Sequence, residues 1–130
     1  MNITSVLLEV NTPTVNSRVY PREVLKQMIS ESKEIVESGK FFGTYKDFDS
    51  DAIDLSKVTH RVTNIDLVDD KVVTTAEILN TPAGEKLLMQ LDKHPQDFVM
   101  RTVGFGTVED NVVKDFKLAS VNIYDKKDCV

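Results

Sequence analysis

Phe98-Val99-Met100-Arg101-Thr102-Val103-Gly104-Phe105-Gly106-Thr107-Val108 is the stretch on which the fold turns. It is rich in residues that suit a strand, and turn-like segments bound it: His94-Pro95-Gln96-Asp97 before and Glu109-Asp110-Asn111 after. Side chains alternate across a strand, so Thr102, Gly104 and Gly106 share one face, while Arg101, Val103 and Phe105 share the other. Two glycines on one face leave a bare stripe of backbone. Such a stripe either marks a bulge and close internal packing, or leaves room for another strand, a helix or a substrate chain. Val112 to Tyr124 is a second long strand, and the simplest partner for the first is a hairpin across Glu109-Asp110-Asn111.

Working outward, Ile3 to Val10 reads as a strand whose apolar run suggests an interior position. Asn11 to Arg18 is a loop, and Pro21 suits a helix start. From Arg22 to Ser38, Val24, Leu25, Met28, Ile29, Ile35 and Val36 fall on one helical face, and Gly39 is a natural stop. Phe41-Phe42-Gly43 opens a short extended piece. Val58–Leu67 and Lys71–Leu79 read as two strands joined at Val68-Asp69-Asp70. Thr81 as N-cap and Pro82 at the first position open a second helix, which buries Leu87, Leu88 and Leu91 and ends before Pro95. The expectation is one α+β domain over residues 1–124, a mostly antiparallel sheet or small β-barrel with two main helices. Residues 125–130 form a charged C-terminal tail.

Composition narrows the function. A chain of 130 residues with 41% hydrophobic and 28% charged residues suits one soluble domain with a core. The net charge of −5 argues against a general nucleic-acid surface. No apolar run reaches membrane-spanning length, and no secretory leader pattern opens the sequence. Cys129 is the single cysteine, so the chain forms no internal disulfide, and a reducing compartment fits. Its place next to last suits a surface thiol better than a nucleophile. Thr44 to Leu55 reads as a loop carrying Asp47, Asp49, Asp51 and Asp54. It lacks the central glycine and closing glutamate of a calcium loop, so the expectation is a solvated acidic segment, with no metal and no cofactor.

Four blocks in order resemble the prohead (capsid maturation) proteases of tailed phages. The first is Val15-Asn16-Ser17-Arg18-Val19-Tyr20-Pro21, similar to that family's N-x-R-x-Y-P entry into its first helix. Gly43 with Ile53-Asp54-Leu55-Ser56-Lys57-Val58-Thr59-His60 follows, then Ala76-Glu77-Ile78-Leu79-Asn80-Thr81-Pro82-Ala83-Gly84, and last Gly104-Phe105-Gly106-Thr107-Val108. The resemblance spans roughly Asn11 to Tyr124 and implies the herpesvirus-assemblin-like protease fold. The family cuts scaffold and capsid proteins inside the assembling head.

That chemistry needs a serine nucleophile and a histidine base, because a hydroxyl attacks well only when a base takes its proton. The family's histidine lies in a G-x-L-x-H-P loop; here Gly43-Thr44-Tyr45-Lys46-Asp47-Phe48 places Asp47 at that position. The family's serine lies in a strand like S-S-R-G-x-G; here Arg101 and Thr102 occupy the serine places and Val103 the arginine place. An ordinary Asp, with a pKa of about 3.9, is a weak base. His60 is then a candidate relic or third member, or a packed core histidine, and a nucleophilic Thr102 would take either Asp47, if burial raises its pKa strongly, or His60 as its base.

The resemblance therefore implies a phage head protein on a catalytically degenerate protease fold. It would bind capsid or scaffold chains along Thr102, Gly104 and Gly106, reside in the virion or prohead, and pass through the host cytoplasm during assembly. Self-association fits such a role; nucleic acid and membrane do not. The alternatives are an active maturation protease using Thr102 and a phage protein that binds a host factor.

Overall fold

The computed structural model describes residues 1–14, 16–45 and 57–126. The aspartate-rich segment from Lys46 to Ser56, with Asp47 in it, and Cys129 lie outside the described residues. In chain order the elements are β1 (Asn2–Glu9), α1 (Arg22–Glu37), β2 (Phe42–Thr44), β3 (Val58–Val68), β4 (Lys71–Ile78), α2 (Pro82–Lys93), β5 (Phe98–Glu109) and β6 (Val112–Asp125). A short 3₁₀ turn at Pro95–Asp97 joins α2 to β5. Four strands form an antiparallel sheet in the order β1-β4-β3-β2, and β5 and β6 form a separate two-stranded hairpin. The domain is α+β and mostly antiparallel, as the sequence predicts, and its strands do not close into a barrel.

Local chemistry explains most of the elements. α2 begins where Thr81 accepts a hydrogen bond from the Gly84 amide at 2.9 Å, with Pro82 in the first turn. That satisfies an amide with no partner inside the helix. α1 buries Leu25, Met28, Ser32 and Val36. Ser32 is tolerated in that stripe because its hydroxyl donates back to the Met28 carbonyl at 2.8 Å, while Ile35 stays half exposed. The β5–β6 turn is Asp110-Asn111 with φ of 52° and 67°, both in the left-handed region, where Asp and Asn are the tolerated non-glycine residues. The two helices pack on the strands, α1 against β3 and β6 and α2 against β3. The core between them holds Phe41, Val62, Val72, Ala76, Met100, Val121 and Ile123.

One expectation fails. β1 is an edge strand, hydrogen-bonded only to β4, not an interior one. Its apolar run Val6-Leu7-Leu8 has another cause: the register with β4 skips Leu7, a bulge that puts Leu8 in the core while Val6 faces solvent. Bulges also rephase β6. Gly104 pairs with Leu118 one step after Val103 pairs with Ser120, and Val108 pairs with Val113 one step after Thr107 pairs with Asp115. The extra residues, Ala119 and Lys114, keep Val113, Phe116, Leu118, Val121 and Ile123 turned inward over a long strand. Asp125 belongs to β6, opposite Phe98, rather than to a tail.

Candidate functional site

The hairpin meets the four-stranded sheet along two seams of different character. At the first, β6 runs beside β2, and polar side chains join them in place of a full backbone ladder. Asn122, buried in β6, accepts from the Thr44 amide at 3.2 Å and from the Ser120 hydroxyl at 2.7 Å. His60, fully buried on β3, reaches past Gly43 of β2, and its Nε2 donates to the Val121 carbonyl at 2.6 Å. With Nε2 as donor, Nδ1 is left as acceptor and takes the Thr59 hydroxyl at 2.7 Å. Burial pushes the imidazole pKa below its ordinary value, against the smaller opposing effect of the Val121 carbonyl. A Cβ on Gly43 would lie 2.2 Å from His60 Nε2 and from the Val121 oxygen, so the crossing requires glycine. Tyr45 bridges to Ile123 and hydrogen-bonds Asp125 at the end of the same seam.

At the second seam, β1 and β5 approach without joining. Among the described residues each has one edge that pairs with no other strand, and between them lies a groove of about 570 Å³. Val6 to Glu9 form one wall, and Val99 to Thr102 with Gly104 form the other. Thr12 to Thr14, Asn16, Arg18 and Tyr20 close one side, and Phe116 packs edge-on to Tyr20 with ring centroids 5.6 Å apart. Arg18 and Arg101 both line the groove. Among the described residues neither guanidinium has an ion-pair or hydrogen-bond partner. Burial raises the pKa of Tyr20, and the positive charges of Arg18 and Arg101 partly offset that effect.

The residues singled out from sequence part company here. Thr102 and Arg101 come to the groove, and Gly104 lines it; Gly106 does not. The bare stripe is largely filled from within. A Cβ at Gly104 would meet the Lys117 carbonyl at 2.2 Å and the Phe116 ring at 2.7 Å, and one at Gly106 would meet the Asp115 carbonyl at 2.0 Å. These glycines admit the partner strand at its bulges. His60 sits on the far side of β6: Val121 pairs with Thr102 on one side and accepts from His60 on the other. Both imidazole nitrogens are engaged. Sequence reasoning gave no site role to Arg18 and Tyr20, although both stand in the quoted Asn16-Ser17-Arg18-Val19-Tyr20-Pro21 block. Ser120 and Asn122 were signalled only as polar residues inside an apolar strand.

No family model matches the chain, and no curated protein sequence matches it. Its architecture, two helices with a four-stranded antiparallel sheet and a long bulged hairpin, is the fold of a phage capsid-assembly protease. One solved structure that shows this is the bacteriophage T4 capsid assembly protease, gp21, which matches with a TM-score of 0.82 and 18% sequence identity. The match covers 95% of this chain and 80% of that one. No helix among the described residues is long and apolar enough to cross a membrane.

Proposed function

We propose that this chain is a phage head protein that keeps the peptide-binding groove of a prohead protease without its cutting chemistry. The observation that carries the reading is the open β1–β5 seam. It offers two unpaired strand edges, and an extended segment of a capsid or scaffold protein can add to such an edge through backbone hydrogen bonds. Its volume falls within the range of ordinary binding pockets, about 300–1,000 Å³.

The degenerate chemistry is argued from three residues. Arg101 and Thr102 stand where the family's serines stand, so Thr102 supplies the single hydroxyl at those two places. A hydroxyl needs a base within hydrogen-bond reach. His60, the histidine of the matched Val58-Thr59-His60 block, is buried, its pKa lowered by that burial, and bonded at both nitrogens. Asp47, at the family's histidine place, is a weak base unless strongly perturbed. The protein would act in the prohead or virion by holding capsid or scaffold segments.

Titrating labelled protein with peptides tiled along the phage's scaffold and capsid proteins tests this. Expected are shifts at Leu7 to Glu9 and Val99 to Thr102, with the peptides recovered intact. Cleavage that is lost in Thr102→Ala would establish the active maturation protease instead.

A further inference from the structure

We propose that a segment bound in the β1–β5 seam runs on beyond it along the outer edge of β5, from Gly104 to Val108, and that this distal track selects an uncharged, apolar stretch of the bound chain. The inference rests on the reading of the seam as a peptide groove; it adds the length and the chemistry of what the groove takes.

The first observation is which edge of the hairpin is already occupied. At the tip, the Val19 amide donates to the Asn111 carbonyl at 2.8 Å, and the Val113 amide donates to the Val19 carbonyl at 2.9 Å. At the base, Tyr45 bridges to Ile123. Both ties fall on the β6 side, so the hairpin is held at its tip as well as at its base. Among the described residues no strand or bridge pairs with the outer edge of β5, and Gly104 to Glu109 are exposed. The Thr107 amide donates to the Asp115 carboxylate at 3.3 Å, so it points toward β6. Successive residues of an antiparallel strand alternate in that direction, and Gly106 and Val108 therefore turn their N–H and C=O groups outward.

The second observation is that this edge is unguarded. Exposed edges are ordinarily blunted by a charge, a proline or a bulge. From Thr102 to Val108 the strand carries neither charge nor proline. The extra residues of the ladder, Lys114 and Ala119, both sit on β6, which leaves β5 evenly pleated. The third is apolar surface: Phe105 is 65% exposed and Val108 43%, and neither belongs to the core. They lie on opposite faces of β5, so alternate side chains of an added strand each meet an apolar neighbour. A charge placed there would lose water without gaining a partner on β5, whose own charges stand at the ends of the track, Arg101 in the seam and Glu109 at the turn. From Val99 to Val108 the edge runs roughly 30 Å at about 3.3 Å per residue, which fits a segment of about ten residues.

Peptides of about five and about ten residues, tiled along the phage's scaffold and capsid proteins and titrated into isotope-labelled protein, test this by NMR. The tightest long peptides should carry an uncharged apolar run, shift the amides of Gly104 to Val108 together with those of Val99 to Thr102, and bind at least about ten-fold more tightly than their halves. Phe105→Lys guards the edge at an exposed position; it should remove that gain and leave the short peptides' affinity for the seam unchanged. Should that variant misfold by circular dichroism, Val108→Lys replaces it. Shifts confined to Leu7–Glu9 and Val99–Thr102, or long-peptide affinity unaltered in the folded variant, would overturn the distal track while leaving the seam reading in place. Absence of binding by every peptide would overturn both. Concentration-dependent shifts of Gly104 to Val108 in peptide-free protein would assign the edge to a second copy and overturn the proposal as well.

Discussion

The same hairpin is bound to the rest of the molecule in two opposite ways. Along β2–β6 it is bolted by buried polar groups: His60 to Val121, Asn122 to Thr44, and a glycine at the one place where the imidazole must pass. Along β1–β5 it is left unpaired, among the described residues, over a groove lined by two arginines with no ion-pair partner among those residues. Satisfied buried networks fix one arrangement, because any unpaired member in a low-dielectric interior is costly. The bolted seam can therefore hold the hairpin at a set distance from β1 and keep the other seam open. Rigidity on one side is what lets the other side remain an open edge.

The sharpest way to break this contrast is Gly43→Ala. Its Cβ has no room beside His60 and the Val121 carbonyl, and backbone and a buried ring must both move. A loss of more than about 3 kcal/mol is expected, or failure to fold, measured by urea unfolding. Stability near wild type would show that the bolt is not tight.

His60→Ala ranks next, at about 2–4 kcal/mol, because it opens a cavity and strands the Val121 carbonyl. The same residue gives a pH signature. Its folded pKa is lowered, so the unfolded chain binds a proton first as pH falls. The contribution is complete above the ordinary histidine value of about 6.5 and is lost as pH drops below it toward the folded value. His60→Gln, which retains a donor toward Val121, should flatten the stability profile in that window relative to wild type. An identical slope would remove His60 as its source.

Asn122→Ala should cost about 1–2 kcal/mol, since the Thr44 amide and the Ser120 hydroxyl lose their shared acceptor. Arg18→Ala and Arg101→Ala should change stability by only about 0.5 kcal/mol or less, because neither guanidinium has an ion-pair or hydrogen-bond partner among the described residues. Peptide affinity should nevertheless fall in both. If Arg101→Ala destabilises as much as Asn122→Ala, the open seam is a structural element and the contrast between the two seams disappears.

Much of the fold was legible because its signals are local. The Thr81-Pro82 start of α2 follows from capping chemistry, the stripe of α1 from helical spacing, and the β5–β6 hairpin from two strand-like runs across Glu109-Asp110-Asn111. The bulges at Leu7, Lys114 and Ala119 were not legible, since nothing in those residues announces an extra step until a partner strand sets the register. The glycine pair shows how one signal carries two meanings. Gly104 and Gly106 do mark a close approach, but their own β6 carbonyls make it. Thr102 was legible as a groove residue from its place in the family's serine strand, whereas Arg18 and Tyr20 enter the site only because the loop before α1 folds against β5.

By itself the sequence determined which segments become helices and strands and where most of them start. Periodicity, caps and turn residues act within a few positions of the chain. Only the tertiary structure decided that β1 is an edge, that one seam is bolted and the other open, and that His60 belongs to the first while Thr102 faces the second. Those outcomes depend on which strand edges meet, and strands far apart in sequence pair through backbone groups that every residue carries alike.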